Sequence, residues 1–280
     1  MGDCMDVSRD VGPPAHTPAM QELGIAVAGV LRVIYDLAGR PPWWQMALDE
    51  ALLESVASSK SPPTLRLYVF SPSSVTIGYF QSVHEAVRLD EAQKLGIPVV
   101  RRFTGGGAVY HDEEGEITYS IAVQASGMLR DVASSYRVLC SAIANALRRL
   151  GVDAAPSGFN DVTVAGRKIS GNAQARRRGA LLQHGTILYN ANKEVMRRLL
   201  KVHKEKLNAH GAGRIDERIV NLVEVAKKPI SLGELAESIT AAFSETLGLK
   251  PVEGWYSRGE LELARKYVGR YRSSEWNLKR

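Results

Sequence analysis

Three consecutive glycines, Gly105 to Gly107, lie between two apolar runs that are typical of β-strands. Glycine has no Cβ and readily adopts positive φ, so a ligand can lie directly against the backbone amides of such a loop. The whole stretch reads Arg101-Arg102-Phe103-Thr104-Gly105-Gly106-Gly107-Ala108-Val109-Tyr110-His111-Asp112. Because two arginines precede the glycines, it predicts a cradle for a phosphate or a carboxylate, with a plain turn between strands as the alternative. The spacing matches neither a Walker loop nor a dinucleotide fingerprint.

Composition bounds the class of protein. With 280 residues and 45% hydrophobic content, the chain predicts one large globular domain or two unequal ones. Lys and Arg number 36 against 30 Asp and Glu, and the net charge of +6 favours an anionic substrate or acidic partner, with a solvated basic surface as the alternative. Cys4 and Cys140 are the only cysteines, which excludes a disulfide framework. The acidic start and the lack of a long apolar run predict a cytoplasmic protein without a membrane span.

Hydrophobic periodicity places regular elements along the chain. Two capping boxes, at Ser231 and Ser257, predict helix starts near the C-terminus. The other predicted elements are strands at Leu31–Leu37, Thr64–Val69, Ser74–Ile77 and Glu116–Val123, and helices at Trp43–Val56, His84–Leu95 and Asp131–Leu150. Cys140 lies beside the apolar stripe of the last helix, so we expect it to pack as a small hydrophobic residue.

A second informative region is the pair of short strands Val162–Val164 and Arg167–Ile169, joined by Ala165-Gly166. A two-residue connection predicts a β-hairpin that pairs Thr163 with Lys168 and Asp161 with Ser170. The period of two then places these four polar side chains on one face and the apolar residues on the other. We expect Arg176 to Arg178 to form a loop that is either solvated or in contact with an acidic partner.

Three separated motifs closely resemble the catalytic domain of the lipoate-protein ligase A family. They are the glycine stretch Arg101–Asp112, the run Asn160–Gln174 that contains Lys168, and His184-Gly185-Thr186. Met46–Leu53 and Val75–Gly78 also match that family's helix and strand. The resemblance runs from about Val33 to Arg280, and it is specific because the motifs occur in the family's order.

The resemblance implies an α/β fold, a mixed β-sheet flanked by helices, over residues 31–280 after a flexible leader at 1–30. It implies an ATP-dependent ligase that needs Mg²⁺ and uses lipoate or octanoate as substrate. The carboxylate attacks the α-phosphate to give acyl-AMP, and a lysine of an acceptor domain then takes the acyl group. The implied acceptors are E2 subunits of 2-oxoacid dehydrogenases and the glycine cleavage H protein.

The resemblance also assigns the site residue by residue. Lys168 is the expected catalytic residue, in contact with the α-phosphate and the carboxyl oxygen, and Asp161 is the expected Mg²⁺ ligand. The residues expected at ATP or the adenylate are Arg102, Gly107, Ala108, Val109, Tyr110, Asn160, Asp161 and Lys168. Those expected at the lipoyl group are Gly78, Arg102, Thr104, Gly105, Gly106, Gly107, His111, Lys168, Gly171, Ala173, His184 and Gly185, with both histidines uncharged.

Two departures from the family pattern leave alternatives open. Single-chain ligases of the family carry a further small C-terminal domain that is incomplete here, so we expect a separate small accessory subunit to supply it. Related octanoyl-carrier-protein:protein octanoyltransferases use a cysteine shortly before the lysine motif, but Ala154–Phe159 contains none. We therefore rank octanoyl transfer second. A non-catalytic nucleic-acid binder is the third alternative, and the short, irregular N-terminal stretch argues against it.

Overall fold

The computed structural model describes residues 29–201 and 217–280, which form two β-sheets covered by helices. The strands are β1 (Val30–Arg40), β2 (Thr64–Phe70), β3 (Ser74–Ile77), β4 (Val99–Arg101), β5 (Val109–His111), β6 (Glu116–Gln124), β7 (Ala154–Ser157), β8 (Asp161–Val164), β9 (Arg167–Arg177), β10 (Ala180–Leu188) and β11 (Lys250–Glu253). Each predicted strand is present, and its ends lie within three residues of the prediction except in β9, which continues eight residues past Ile169.

Several of the helices begin at a residue whose side chain caps the first turn. The α-helices are α1 (Pro42–Ala57), α2 (Val83–Ala86), α3 (Leu89–Lys94), α4 (Val132–Arg149), α5 (Lys193–Leu199), α6 (Leu222–Val225), α7 (Leu232–Leu247), α8 (Arg258–Arg272) and α9 (Ser274–Asn277). Asp131 caps α4 by accepting a hydrogen bond from the Ser134 amide. Both predicted capping boxes are confirmed, at the starts of α7 and α8.

The large sheet lies between two helical layers. Its strand order is β11-β1-β2-β6-β10-β9-β8-β7, with β11, β1 and β2 parallel and the other neighbours antiparallel. Apolar side chains of one face pack against α4 and α7, and those of the other face against α1 and α8. A mixed sheet flanked by helices is the fold that the sequence predicted.

A small second sheet, in the order β4-β3-β5, carries the glycine stretch. β3 is parallel to β4 and antiparallel to β5, so the segment between β4 and β5 must cross the end of β3. Gly105–Gly107 lie in that crossing. Gly78 follows β3 directly, and a Cβ there would overlap the carbonyl oxygen of Gly106. The absence of a side chain at Gly78 therefore lets the glycine loop lie against β3.

The C-terminal residues pack against the same small sheet. Arg101, at the end of β4, is fully buried and donates hydrogen bonds to carbonyl oxygens of the Gly78–Gln81 turn and of α9. The amide of Val83 donates to the carbonyl of Arg280. The C-terminal residues are therefore held against the small sheet by hydrogen bonds from both Arg101 and Val83.

The predicted helix His84–Leu95 is wrong, because the chain forms two short helices, α2 and α3, instead. Between them Val87 adopts an extended conformation, with φ −132° and ψ 143°, and makes an antiparallel β-bridge with Leu200. The amide of Arg88 donates to the carbonyl of Leu199 at 2.8 Å. A distant segment thus satisfies the backbone groups that a continuous helix would have paired internally.

Within the described residues, no helix is long and apolar enough to cross a membrane. The predicted leader at 1–30 falls almost entirely outside the described residues, so it stays a prediction, as does the domain boundary at residue 31.

Candidate active site

Two adjoining cavities lie on either side of the glycine loop. The smaller, of about 100 Å³, lies on the α1 face of the large sheet. The larger, a groove of about 450 Å³, runs between the glycine loop and the segments around α2, α5 and Arg218–Ile219. Six residues line both: Gly107, Ala108, Val109, Lys168, Gly171 and Thr186. These six residues therefore lie at the junction of the two cavities, and Lys168 is the only cation among them.

The β8–β9 hairpin positions Lys168. Its turn residues Ala165 and Gly166 have φ of +47° and +76°, as a two-residue hairpin connection requires. Lys168 pairs with Thr163, as predicted, and its Nζ lies 2.6 Å from Asp161 Oδ1. On the other side the Lys168 amide donates to the carbonyl of Arg218 at 2.7 Å. The backbone of this lysine is therefore held from two sides while its amine reaches the cavities.

The predicted pairing of Asp161 with Ser170 is wrong. The register shifts between Val162 and Thr163, so that Val162 pairs with Ser170 and Asp161 pairs with Gly171. The shift leaves one extra residue in β9, a β-bulge, and Ser170 is buried rather than on the face of Lys168. A Cβ on Gly171 would overlap Lys168 Nζ and lie 2.5 Å from Cε. The bulge thus brings a glycine beneath the lysine amine.

The expectation that Arg176–Arg178 form a loop is wrong for Arg176 and Arg177, because β9 continues through Arg177, whereas Arg178 lies in the turn before β10. Arg176 donates to the carbonyl oxygens of Leu129 and Arg130, just before α4, and Arg177 forms ion pairs with Glu50 and Glu54 at 2.8 and 2.6 Å. These contacts within the chain use the charges that the nucleic-acid alternative would need.

Arg102 is the buried cation of the smaller cavity. Its guanidinium donates to the carbonyl oxygens of Gly105 and Gly107 at 2.6 and 2.7 Å, and so ties down the glycine loop. No carboxylate forms an ion pair with it among residues 29–201 and 217–280. Burial lowers the pKa of Arg102 to about 10, which leaves the group charged at neutral pH. A buried guanidinium without a counter-ion favours an anionic ligand.

Two histidines line the same cavity. His184 Nδ1 lies 2.9 Å from Asp49 Oδ2, and its Nε2 lies 2.8 Å from Thr104 Oγ1. Burial lowers the pKa of His184 despite the hydrogen bond to Asp49, so its imidazole is neutral, as predicted. His111 stacks on Phe70, with ring centroids 3.8 Å apart. The part of the cavity wall that Phe70 and the two imidazole rings form is therefore aromatic, which suits an apolar acyl chain.

Asn172 supports the back of the site. Its Oδ1 accepts a hydrogen bond from Tyr119 Oη at 2.7 Å, and its Nδ2 donates to the carbonyl of Asn160 at 2.9 Å. A Cβ on Gly185 would overlap Asn172 Oδ1, which explains the glycine in strand β10. Cys140, on α4, lies 3.5 Å from Asn172 Nδ2 and is buried as predicted. Burial raises the pKa of its thiol to about 12.

Most of the residues that the sequence singled out converge here. Gly78, Thr104 and Gly105 line neither cavity and instead support the glycine loop. The predicted residues that line the smaller cavity are Arg102, Gly106, Gly107, Ala108, Val109, His111, Asn160, Lys168, Gly171, Ala173, His184 and Gly185. Those that line the groove are Gly107, Ala108, Val109, Tyr110, Asp161, Lys168 and Gly171. The assignment of individual residues to ATP or to the lipoyl group stays a prediction.

Sequence reasoning missed several polar residues of the site. Asp49, Thr76, Glu116 and Asn172 are buried in or behind the cavity walls. A usable signal existed for Asp49, because it falls one helical turn from Met46 and Leu52 on the apolar side of α1. A buried carboxylate in such a stripe indicates a specific partner.

The predicted Mg²⁺ ligand has no supporting cluster. In the part of the chain that the structure describes, no group of three or more His, Cys, Asp or Glu side chains is arranged to hold a metal. Asp161 lines the groove but is paired with Lys168. Magnesium that arrives with a nucleotide needs only one or two carboxylates, since phosphates and waters fill its other positions. The role of Asp161 therefore stays a prediction.

A family model of the lipoyl protein ligase A/B catalytic domain matches residues 41–244. The chain belongs to this family. It is 34% identical to the octanoyltransferase LipM of Kyrpidia tusciae, over 85% of this chain and 94% of the relative. It is 37% identical to lipoate-protein ligase A subunit 1 of Thermoplasma acidophilum, over 83% of this chain and 90% of the relative.

Solved structures of the family share the fold. The protein Ta0514 of T. acidophilum, solved with bound lipoic acid, has a TM-score of 0.76 and 33% identity, over 89% of this chain and 99% of that one. A bi-partite lipoate protein ligase from the same organism, studied with its E2 lipoyl domain, has a TM-score of 0.77 and 35% identity, over 89% and 96%. A lipoate-protein ligase A bound with ATP gives 0.77 and 33%, over 88% and 98%.

These comparisons identify an enzyme family of protein lipoylation, which includes both ligases and octanoyltransferases. Six further relatives, at 30–34% identity, carry the name octanoyltransferase LipM. By name, the relatives therefore favour octanoyl transfer, which the sequence analysis ranked second, over ATP-dependent ligation.

Proposed function

We propose that this chain transfers a lipoyl or octanoyl group to a lysine of an acceptor domain, and that it first activates the free acid with ATP. The observation that carries the proposal is the position of Lys168, whose side chain is shared by the small cavity and the groove. An acid in the first and a triphosphate in the second would meet at this amine.

The charges around the junction support two anionic substrates. The groove is lined by the cations Lys168, Lys201 and Arg218 and by the carboxylates Glu85 and Asp161. The small cavity adds the buried Arg102. Because a carboxylate and a triphosphate repel each other, cations placed between them lower the barrier to their reaction.

The proposed chemistry has two steps. A carboxylate oxygen of the acid attacks the α-phosphorus, and the bond to pyrophosphate breaks. The neutral amine of the acceptor lysine then attacks the acyl carbonyl carbon, AMP leaves with the electrons of the broken C–O bond, and the nitrogen loses one proton to give the amide. In both steps Lys168 would stabilise the negative charge that develops on oxygen atoms in the transition state. The glycine loop and the aromatic wall of the small cavity would keep water away from the mixed anhydride.

Octanoyl transfer from a carrier-protein thioester is the second candidate, and the names of the relatives favour it. A covalent route would need a reactive thiolate near Lys168. Cys140 is the one cysteine of the described residues, and it is 2% exposed with a pKa raised by burial to about 12. β7, directly before the lysine hairpin, contains no cysteine. This arrangement is why we place activation by ATP first.

One experiment separates the two candidates. The purified chain is mixed with lipoate or octanoate and Mg-ATP, and acyl-adenylate is sought by mass spectrometry; a parallel reaction receives octanoyl-carrier protein without ATP. Lys168→Ala is run beside Lys60→Ala, which removes an exposed lysine that lines neither cavity. Adenylate that is lost only in Lys168→Ala supports the ligase. ATP-independent octanoylation of an acceptor domain would instead establish the transferase.

The proposed partners are an acceptor lipoyl domain and a small accessory subunit. The first is supported by the E2 lipoyl domain studied with the Thermoplasma ligase, and the second by the bi-partite nature of that ligase. A chain that forms adenylate and acylates the acceptor at full rate without a second protein would overturn the accessory-subunit proposal.

A further inference from the structure

Each nitrogen of the Arg102 guanidinium lies within hydrogen-bond distance of an uncharged acceptor. Nε lies 3.0 Å from Thr104 Oγ1, Nη1 lies 3.3 Å from Thr76 Oγ1, and Nη2 bonds the carbonyl oxygens of Gly105 and Gly107. The side chain of Arg102 is thus held between two threonine hydroxyls and the glycine loop.

Each threonine begins a chain of hydrogen bonds that ends at a buried carboxylate. In the first arm, Thr104 Oγ1 contacts His184 Nε2 at 2.8 Å and His184 Nδ1 contacts Asp49 Oδ2 at 2.9 Å. In the second arm, Thr76 Oγ1 contacts His111 Nε2 at 2.9 Å, and His111 Nδ1 contacts Glu116 Oε1 at 2.5 Å. The four contacts come from separate segments, yet the two arms have the same order of groups.

The direction of the protons in these arms follows from the two carboxylates. An ionised carboxylate can only accept, so each ring carries a hydrogen on Nδ1 and donates it to Asp49 or Glu116. In a neutral imidazole Nε2 is then unprotonated and accepts the hydrogen of the threonine hydroxyl, while the threonine oxygen accepts from Arg102. Asp49 and Glu116 therefore select the tautomer of the histidine beside them, and through it the orientation of the threonine hydroxyl.

We propose that Asp49 and Glu116 are positioning residues that orient Arg102 through these two arms. The proposal rests on the proposed function, in which Arg102 faces the anionic end of the acyl substrate. Without either arm, the guanidinium loses one of the acceptors that hold it beside the glycine loop. Asp49 also binds Arg66, Tyr68 and Ser120, so the Glu116 arm gives the cleaner test.

The decisive variants are Thr76→Val and Thr76→Ser. Valine keeps the branched shape but has no hydroxyl, whereas serine keeps the hydroxyl and loses a methyl group. If Thr76 relays orientation, Thr76→Val lowers kcat/KM for the acyl substrate by about tenfold, because it leaves buried partners without a hydrogen bond, and Thr76→Ser stays near wild type. A packing role predicts the reverse order, and that result would overturn the proposal.

Two further variants complete the set. Glu116→Gln combined with Thr76→Val should be no worse than the more damaging single change, because both interrupt one arm. Additive losses would contradict a shared arm. Thr240→Val is the matched control, since Thr240 is also buried and bonded through its hydroxyl, to Tyr35 and to the carbonyl of Ala236.

A spectroscopic measurement tests the arms independently of turnover. The ¹⁵N shifts of the imidazole rings in the intact chain report which ring nitrogen carries the hydrogen. We expect the Nδ1–H form for His111 and His184, and a change at His111 in Glu116→Gln. An Nε2–H form of either ring would overturn the proposal even if the chain is an active enzyme. Nδ1–H rings in a chain that acylates no acceptor would contradict the proposed function instead.

Discussion

Gly171→Ala should separate catalysis from folding more sharply than any change to the lysine itself. Gly171 does not have a positive φ, so alanine meets no backbone strain there. The added methyl group would overlap the amine of Lys168 and lie 2.5 Å from Cε. Because that amine ends a flexible side chain, it can move away, and the substitution shifts the lysine rather than the strand.

The expected magnitudes differ greatly for stability and activity. The ion pair of Lys168 with Asp161 is partly solvated, with side chains 39% and 32% exposed, so its loss costs about 0–1 kcal/mol of unfolding free energy. Displacing a group that stabilises transition-state charge costs about 10²- to 10³-fold in rate. We therefore expect kcat/KM to fall by about a hundredfold while Tm hardly changes.

The assay is acyl transfer to an acceptor domain, followed by intact-protein mass spectrometry, with thermal unfolding measured on the same samples. Gly259→Ala is the matched control, because a Cβ there has no neighbour within 4 Å. Near wild-type turnover in Gly171→Ala would refute the reasoning, since it would show that the amine is not needed where the structure places it. A large fall in Tm would show that the strand, not the lysine, yields.

Three further predictions address the thiol, the buried imidazole and a helix cap. Cys140→Ala should leave turnover near wild type if no acyl-thioester forms on this side chain, and complete loss of acylation in a stably folded variant would contradict the ligase proposal. Burial lowers the pKa of the His184 imidazole in the folded protein. Below the ordinary histidine pKa of about 6.5, the unfolded state therefore binds more protons than the folded state does. The free energy of unfolding should therefore fall as the pH is lowered through that value. His184→Gln should reduce this dependence, which urea titrations at several pH values will measure, with His84→Gln as the exposed control variant. Asp131→Ala should lower Tm through loss of the cap on the Ser134 amide, and an unchanged Tm would contradict this.

The sequence predicted most helices, strands and turns well because these elements depend mainly on residues that are close together in the chain. The helix Pro42–Ala57, the strand Ser74–Ile77 and the turn at Ala165-Gly166 follow from periodicity, glycine and proline in the immediate sequence. The converging site was predictable because its three motifs are distinctive. What the sequence could not give was the register of Asp161, since an extra residue in a strand changes no residue type.

The remaining errors come from contacts between distant segments. The break at Val87 depends on Leu200, more than a hundred positions away, and no local propensity reports it. The buried charges had a similar cause: Arg66 is fully buried between Asp36 and Asp49, and periodicity alone would place an arginine at the surface. Ion pairs with residues that are distant in the sequence, and not the composition of the chain, decide whether such charged residues are buried.

The pairing of β1 with β11 has a consequence for biosynthesis. Val30 and its neighbours, among the first described residues, lie beside Lys250–Glu253, and Arg32 of β1 forms an ion pair with Glu260. During translation the edge of β1 that pairs with β11 therefore remains unpaired until more than two hundred further residues have been made. An unpaired parallel edge is slow to fold and open to association with other chains. The nascent chain would gain most from a chaperone in this interval, before its C-terminal strand and helix leave the ribosome.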